Sequence, residues 1–86
     1  LYRHMDRLSE AEPLYVRSLE IRKRSFGPRS QIVAQSLNNL ALLYKTQGKN
    51  KEAEKMYLEA LDIRQTGLGK NHPEVAQTMN NIALLY

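Results

Sequence analysis

The chain repeats itself at a fixed spacing. Residues 33–44 read VAQSLNNLALLY and residues 75–86 read VAQTMNNIALLY, an offset of 42. The same offset carries EAEPLYVRSLEIR, from Glu10, onto EAEKMYLEALDIR, from Glu52, and carries Leu1-Tyr2 onto Leu43-Tyr44 and Leu85-Tyr86. Aligning residues 1–44 with 43–86 gives 19 identical pairs out of 44, so the two halves are copies of one unit. A fixed period of roughly 20–50 residues marks a solenoid, whose units bury their apolar faces only by stacking on their neighbours. Such folds offer extended surfaces to partners and seldom build a reaction centre.

The 86 residues amount to two repeats plus a dipeptide. Both ends fall at the same Leu-Tyr point of the unit, so the chain reads as a piece of a longer array, or equally as a processed or engineered fragment. The expected division is the second helix of one repeat over about 1–27, a complete repeat over 28–69, and the first helix of the next over 70–86. The absence of Cys excludes disulfides and thiolate metal sites. No apolar run approaches the ~20 residues that span a bilayer, and no secretory signal pattern is present. A cytoplasmic protein is the expectation. Residues 1–43 hold seven Lys/Arg against four Asp/Glu, and residues 44–86 hold six against five. The excess gathers at Arg22, Lys23, Arg24 and Arg29. A basic balance suits nucleic acid or an acidic partner, but Lys and Arg also suit the negative end of a helix, which is the expectation here.

Four helices are predicted. The first runs from Ser9 to about Ser25, with Ala11, Leu14, Tyr15, Ser18, Leu19 and Ile21 at i, i+3, i+4, i+7 spacing. Ser9 and Glu12 have the form of a capping box, with Leu8 or Asp6 as alternative starts, and Gly27-Pro28 stops the helix. The second, from about Gln31 to Thr46, carries Val33, Ala34, Leu37, Leu40, Ala41 and Tyr44 on one stripe and ends at Gly48. The third, from about Asn50 to Thr66, repeats the first with Ala53, Met56, Tyr57, Ala60, Leu61 and Ile63. Asn50 is the expected cap, and Gly67 and Gly69 the expected stop. The fourth begins at Asn71-His72-Pro73, with Pro in the first turn and Asn71 or His72 as cap. It runs on to the chain end with Val75, Met79, Ile82, Ala83 and Tyr86 inward. A short link after the second helix and longer Gly- and Pro-bearing links after the first and third make helical hairpins joined by corners. The fold class is all-α.

No catalytic constellation stands out. His4 and His72 lack a Ser and an orienting carboxylate at a recognisable spacing. Gly67-Leu-Gly69-Lys70-Asn71 falls short of a phosphate-cradling loop and follows no strand, so helix termination explains its glycines. Two His without Cys make no zinc site. No enzyme, metal, cofactor or small-molecule substrate is expected.

Leu40-Ala41-x-x-Tyr44, then Gly48, Ala53, Tyr57 and Ala60, resemble the tetratricopeptide repeat, whose basic unit has about 34 residues. The longer unit, with ALDIR, LGKNHPEVA and NNIALLY, resembles the repeats of kinesin light chain and nephrocystin-3-like proteins. The family's proline after the second helix is missing, and Lys23 and Gln65 stand there. The resemblance implies a right-handed superhelix of antiparallel hairpins, with the first helix of each hairpin lining a concave groove that binds a protein or peptide segment. In kinesin light chains these segments often carry acidic motifs.

On the second helix, Gln35, Asn38, Leu42, Lys45 and Thr46 share one face outside the packing stripe. Gln77, Asn80 and Leu84 repeat that face, and Arg3 is the equivalent of Lys45. The implied groove thus has an amide row, an apolar row and a cationic rim that attracts a carboxylate. Asn39 and Asn81 are expected nearer the seam, in repeat-to-repeat hydrogen bonds. A second expectation is self-association through the outer helices, whose Val75, Met79, Ile82 and Leu85 would expose an apolar patch. Nucleic-acid binding is disfavoured, because no aromatic residues interleave with the basic ones.

Overall fold

The computed structural model describes residues 2–85, with side chains from Glu10 to Leu85. They form α1 (Tyr2–Phe26), α2 (Gln31–Thr46), α3 (Asn50–Leu68) and α4 (Pro73–Ala83). No strand occurs among the described residues, and the chain adopts the all-α class its periodicity dictates.

Local chemistry fixes most helix ends. Ser30 Oγ accepts from the Val33 amide at 3.3 Å and satisfies one orphan donor of α2. His72 Nδ1 does the same for the Glu74 amide at 3.1 Å, with Pro73 following at a position that needs no N–H. Of the two caps expected there, His72 is the one used. Gly27, Gly48 and Gly69 have φ of 94°, 82° and 94°, the left-handed conformation that ends α1, α2 and α3. At Gly48 the amides of Gly48 and Lys49 return to the carbonyls of Lys45 and Tyr44, which closes α2 and turns the chain directly into α3.

Four boundaries differ from expectation. The start of α1 lies at Tyr2, so Ser9 is inside a helix and caps nothing. The repeat explains why. Asp6 occupies the position of Gly48, but a left-handed turn costs a non-glycine residue about 1–2 kcal/mol. Asn50 is the first residue of α3 and not its cap; Lys49 precedes it, and no side chain bonds the first amides. At the other end of the chain, α4 stops at Ala83 in place of running on through Tyr86, a residue outside those described.

Gly67 is helical and does not stop α3. A Cβ there would collide with the Nε2 of Gln31, which donates to the Ile63 carbonyl at 3.1 Å. Gly67→Ala therefore gains up to about 1 kcal/mol of helix propensity and loses a hydrogen bond of similar worth. Urea unfolding should find it near neutral in the native background. With Gln31→Ala already present, the same change should stabilise by about 0.5–1 kcal/mol.

The helices lie in two layers within 40 × 32 × 18 Å, a thickness of about two helix diameters. One layer holds α2 and α4, the other α1 and α3, and successive helices pack across the gap. The α2–α3 interface is the most extensive. Leu19, Val33, Leu37, Leu40, Ala60 and Ile63 form the main core, while Ala41 closes on Ala53 and Tyr57 to make a second. Burial raises the Tyr57 phenol above its usual pKa.

The stripes of α2 and α3 are inward as expected, with Tyr44, Met56 and Leu61 half-buried. Those of α1 and α4 are only partly so. Tyr57 is 2% exposed but its repeat equivalent Tyr15 is 41% exposed; Ile63 is 1% exposed but Ile21 is 54%. Likewise Leu37 is fully buried and Met79 is 45% exposed. The sequence pattern encodes the same face in each repeat, but only α2 and α3 have helices covering both of their apolar sides.

Candidate functional site

Side chains that leave the packing stripe of α2 and α4 point from the layer these helices share. Gln35, Leu42 and Thr46 are exposed on α2, and Gln77, Asn80 and Leu84 on α4, while Asn38 and Lys45 are half-buried. The Arg3 side chain lies outside the described residues, as does that of His4. Thr46 turns its hydroxyl to its own helix and donates to the Leu42 carbonyl at 2.9 Å, leaving an acceptor outward.

The amide row joins the two helices. Asn81 Nδ2 donates to Asn38 Oδ1 at 3.4 Å, so Asn38 ties α2 to α4. Asn81 takes the seam position expected of it. Asn39 does not: it is exposed, and with Ala11, Tyr15, Leu42, Leu43 and Thr46 it lines an open depression of about 190 Å³ between α1 and α2.

Charge is segregated between the layers. Eight of the nine carboxylates lie on α1 and α3, the ninth is Glu74 in the first turn of α4, and α2 has none. A ligand carboxylate laid along α2 therefore meets amides, Leu42 and Lys45 with no opposing side-chain anion on that helix.

The basic cluster at the α1 corner is engaged by the fold. Arg22 donates to Ser36 Oγ at 2.8 Å, Lys23 stands 4.0 Å from Glu59, and Arg29 stands 2.8 Å from Asp62. Farther along, Lys49 lies 3.4 Å from Glu12 and 5.6 Å from the centre of the Tyr44 ring. The exposed pairs contribute at most about 1 kcal/mol each. They nevertheless turn cations toward neighbouring helices and away from a shared outer patch.

One polar feature has no counterpart in the expectations above. Arg64 is buried and donates to Thr78 Oγ1 at 2.7 Å, while that hydroxyl donates to the Glu74 carbonyl at 3.0 Å. Shifted by 42 residues, this is the Arg22–Ser36 bond. Each guanidinium crosses to the following helix, Arg22 from α1 to α2 and Arg64 from α3 to α4. Both members recur at the repeat offset, which is the signal that could have identified the pair.

Among the described residues no three His, Cys, Asp or Glu gather as a metal site, and no helix is long and apolar enough to cross a membrane. A family model described as tetratricopeptide repeat matches residues 1–66 and 46–86, which together cover the chain. No curated protein matches it.

Proposed function

Because the chain belongs to the tetratricopeptide repeat family, whose members are generally protein–protein interaction modules and typically non-enzymatic scaffolds, we propose that it captures a peptide segment along the outer face of α2 and α4. The observation that carries this reading is the repeated exposed leucine. Leu42 and Leu84 stand open at the same repeat position, each on a face bearing a glutamine and an asparagine. An apolar row beside amides suits an extended segment: the leucines take its side chains and the amides its backbone groups. Lys45 and the absence of carboxylates on α2 favour an acidic segment. The 42-residue period and the LGKNHPEVA corner suggest the kinesin light chain or nephrocystin-3-like subtype, acting as a cytoplasmic adaptor.

The test is a fluorescence-anisotropy titration of a library of short acidic, basic and apolar peptides. We expect acidic peptides with an apolar residue to bind most tightly. Leu84→Ala should weaken them about tenfold, since losing roughly 1.5 kcal/mol of apolar contact corresponds to that factor. Lys45→Glu should weaken them and flatten their salt dependence. Failure of every peptide to bind, or equal affinity for wild type and both variants, would remove the proposal.

A further inference from the structure

One corner of the chain departs from the repeat. Where the second repeat reads Arg64-Gln65-Thr66-Gly67-Leu68, the first reads Arg22-Lys23-Arg24-Ser25-Phe26. Only the arginine is kept, and two further cations and a hydroxyl are added beside it. Ser25 is exposed in the last turn of α1, and its hydroxyl makes no hydrogen bond among the described residues. The other serine and threonine hydroxyls described are engaged or covered. Thr46 and Thr66 are exposed but donate to the carbonyls four residues back. Ser18 and Ser30 are half-buried, and Ser36 and Thr78 are buried. Gly67, at the repeat position of Ser25, is exposed although α2 and α4 both pack on α3, so this corner faces solvent inside an array as well.

We propose that Ser25 is a phosphorylation site for a protein kinase whose peptide groove is lined by carboxylates, and that the phosphoserine takes Arg22 from Ser36. Arg24 is exposed, and Lys23 is held only by a 4.0 Å ion pair with Glu59, so both can reach such carboxylates. Ser25 is the penultimate residue of α1, and Gly27 follows in the left-handed conformation, so opening one turn presents an extended segment to the enzyme. In the transfer, Ser25 Oγ attacks the γ-phosphorus of a nucleoside triphosphate and forms the new P–O bond. The bond from that phosphorus to the β–γ bridging oxygen breaks, and its electron pair leaves with the nucleoside diphosphate. The hydroxyl proton goes to the kinase's carboxylate base. The product carries about −1.5 to −2 charge at pH 7 and three acceptor oxygens, at a helix C-terminus where an anion is unfavourable. Arg22 lies one turn earlier on the same side of α1. In the unmodified chain it donates to the neutral Ser36 hydroxyl at 2.8 Å, and a phosphate accepts a stronger, charge-assisted bond. Phosphorylation thus exchanges a tie from α1 to α2 for one within α1. The Arg64–Thr78 tie has glycine at the corresponding position and keeps its partner. This inference goes beyond peptide capture and uses none of the residues assigned to it.

The test incubates the 86-residue chain with magnesium, ATP and, in separate arms, purified kinases selective for basic, acidic and proline-flanked sites. Tandem mass spectrometry locates the phosphate. The kinase selective for basic sites should modify Ser25, and Ser25→Ala, checked for helicity by circular dichroism, should remove the signal. Lys23→Ala with Arg24→Ala should slow the reaction about tenfold, the loss of two charge-assisted contacts to the enzyme. Modification of another residue in place of Ser25, no modification in the basic-selective arm, or equal rates in all three arms overturns the proposal. The exchange of Arg22 is read by adding Ser36→Ala. In the unmodified chain this substitution should lower the urea midpoint. In the purified phosphorylated chain the same shift should shrink to about half or less, because Arg22 has already left the hydroxyl. An undiminished shift overturns the exchange.

Discussion

Tyr57→Ala should lower the stability of this chain by about 3–5 kcal/mol, the range for truncating a large buried aromatic residue. Tyr57 is among the largest fully enclosed side chains and belongs to the cluster that joins α2 to α3. Small domains sit toward the lower end of the usual 5–15 kcal/mol, so this single change should leave the protein largely unfolded at 25 °C. The control is Tyr15→Ala, the same substitution one repeat earlier. Tyr15 is open to solvent, and its loss should cost less than about 1 kcal/mol. Urea unfolding followed by circular dichroism at low protein concentration compares the two directly. Equal costs would mean that the two halves are packed alike, contrary to their burial.

Arg64→Ala should cost about 1.5–3 kcal/mol, the usual worth of a buried hydrogen bond to a charged group. The loss combines the bond to Thr78 with the packing of the buried arginine stem between α3 and α4. Arg64→Lys should recover only part of it, because the shorter lysine stem does not carry its ammonium to the position of Nη1, the nitrogen that reaches both Thr78 and the Glu74 carbonyl. Arg22→Ala should cost less, since Arg22 is only half-buried. The check is denaturant unfolding of the three variants with unchanged m-values. An Arg64→Ala variant within about 0.5 kcal/mol of wild type would show the bond to be replaceable by water.

Sequence legibility followed local chemistry. The bounds of α2 can be read to the residue because Ser30 precedes it and Gly48 follows it, and both signals act within one turn. The end of α3 is misread because Gly67 resembles a stop. Its glycine serves a neighbour, the Gln31 amide, which no local pattern contains. The start of α1 is misread because the capping pattern at Ser9 competes with helix propagation from the preceding residues. The candidate face follows from periodicity, and the structure leaves Gln35, Leu42, Gln77, Asn80 and Leu84 open on it. That Asn38 is drawn into a bond with Asn81 was hidden, because the spacing of α2 and α4 depends on how α3 seats between repeats. The buried Arg64 was hidden for a different reason. Arginine in a charged stretch reads as surface, and only a partner hydroxyl on another helix makes its burial tolerable.

The two guanidinium rungs also bear on how the molecule comes apart. One joins α1 to α2 and the other α3 to α4, whereas the contacts between α2 and α3 are chiefly apolar. Nearest-neighbour coupling of this kind decides whether a linear array melts as one body or loosens from its tips. With 11 residues, α4 packs chiefly against α3, and its release would break the Arg64 rung and uncover part of the Ala53–Tyr57 cluster while leaving the main core of Leu19, Val33, Leu37, Leu40, Ala60 and Ile63 enclosed. Amide protons of α4 should therefore exchange through partial opening, and those of α2 only through global unfolding. The rung at Arg64 then acts as a latch that sets how far cooperativity reaches along the chain.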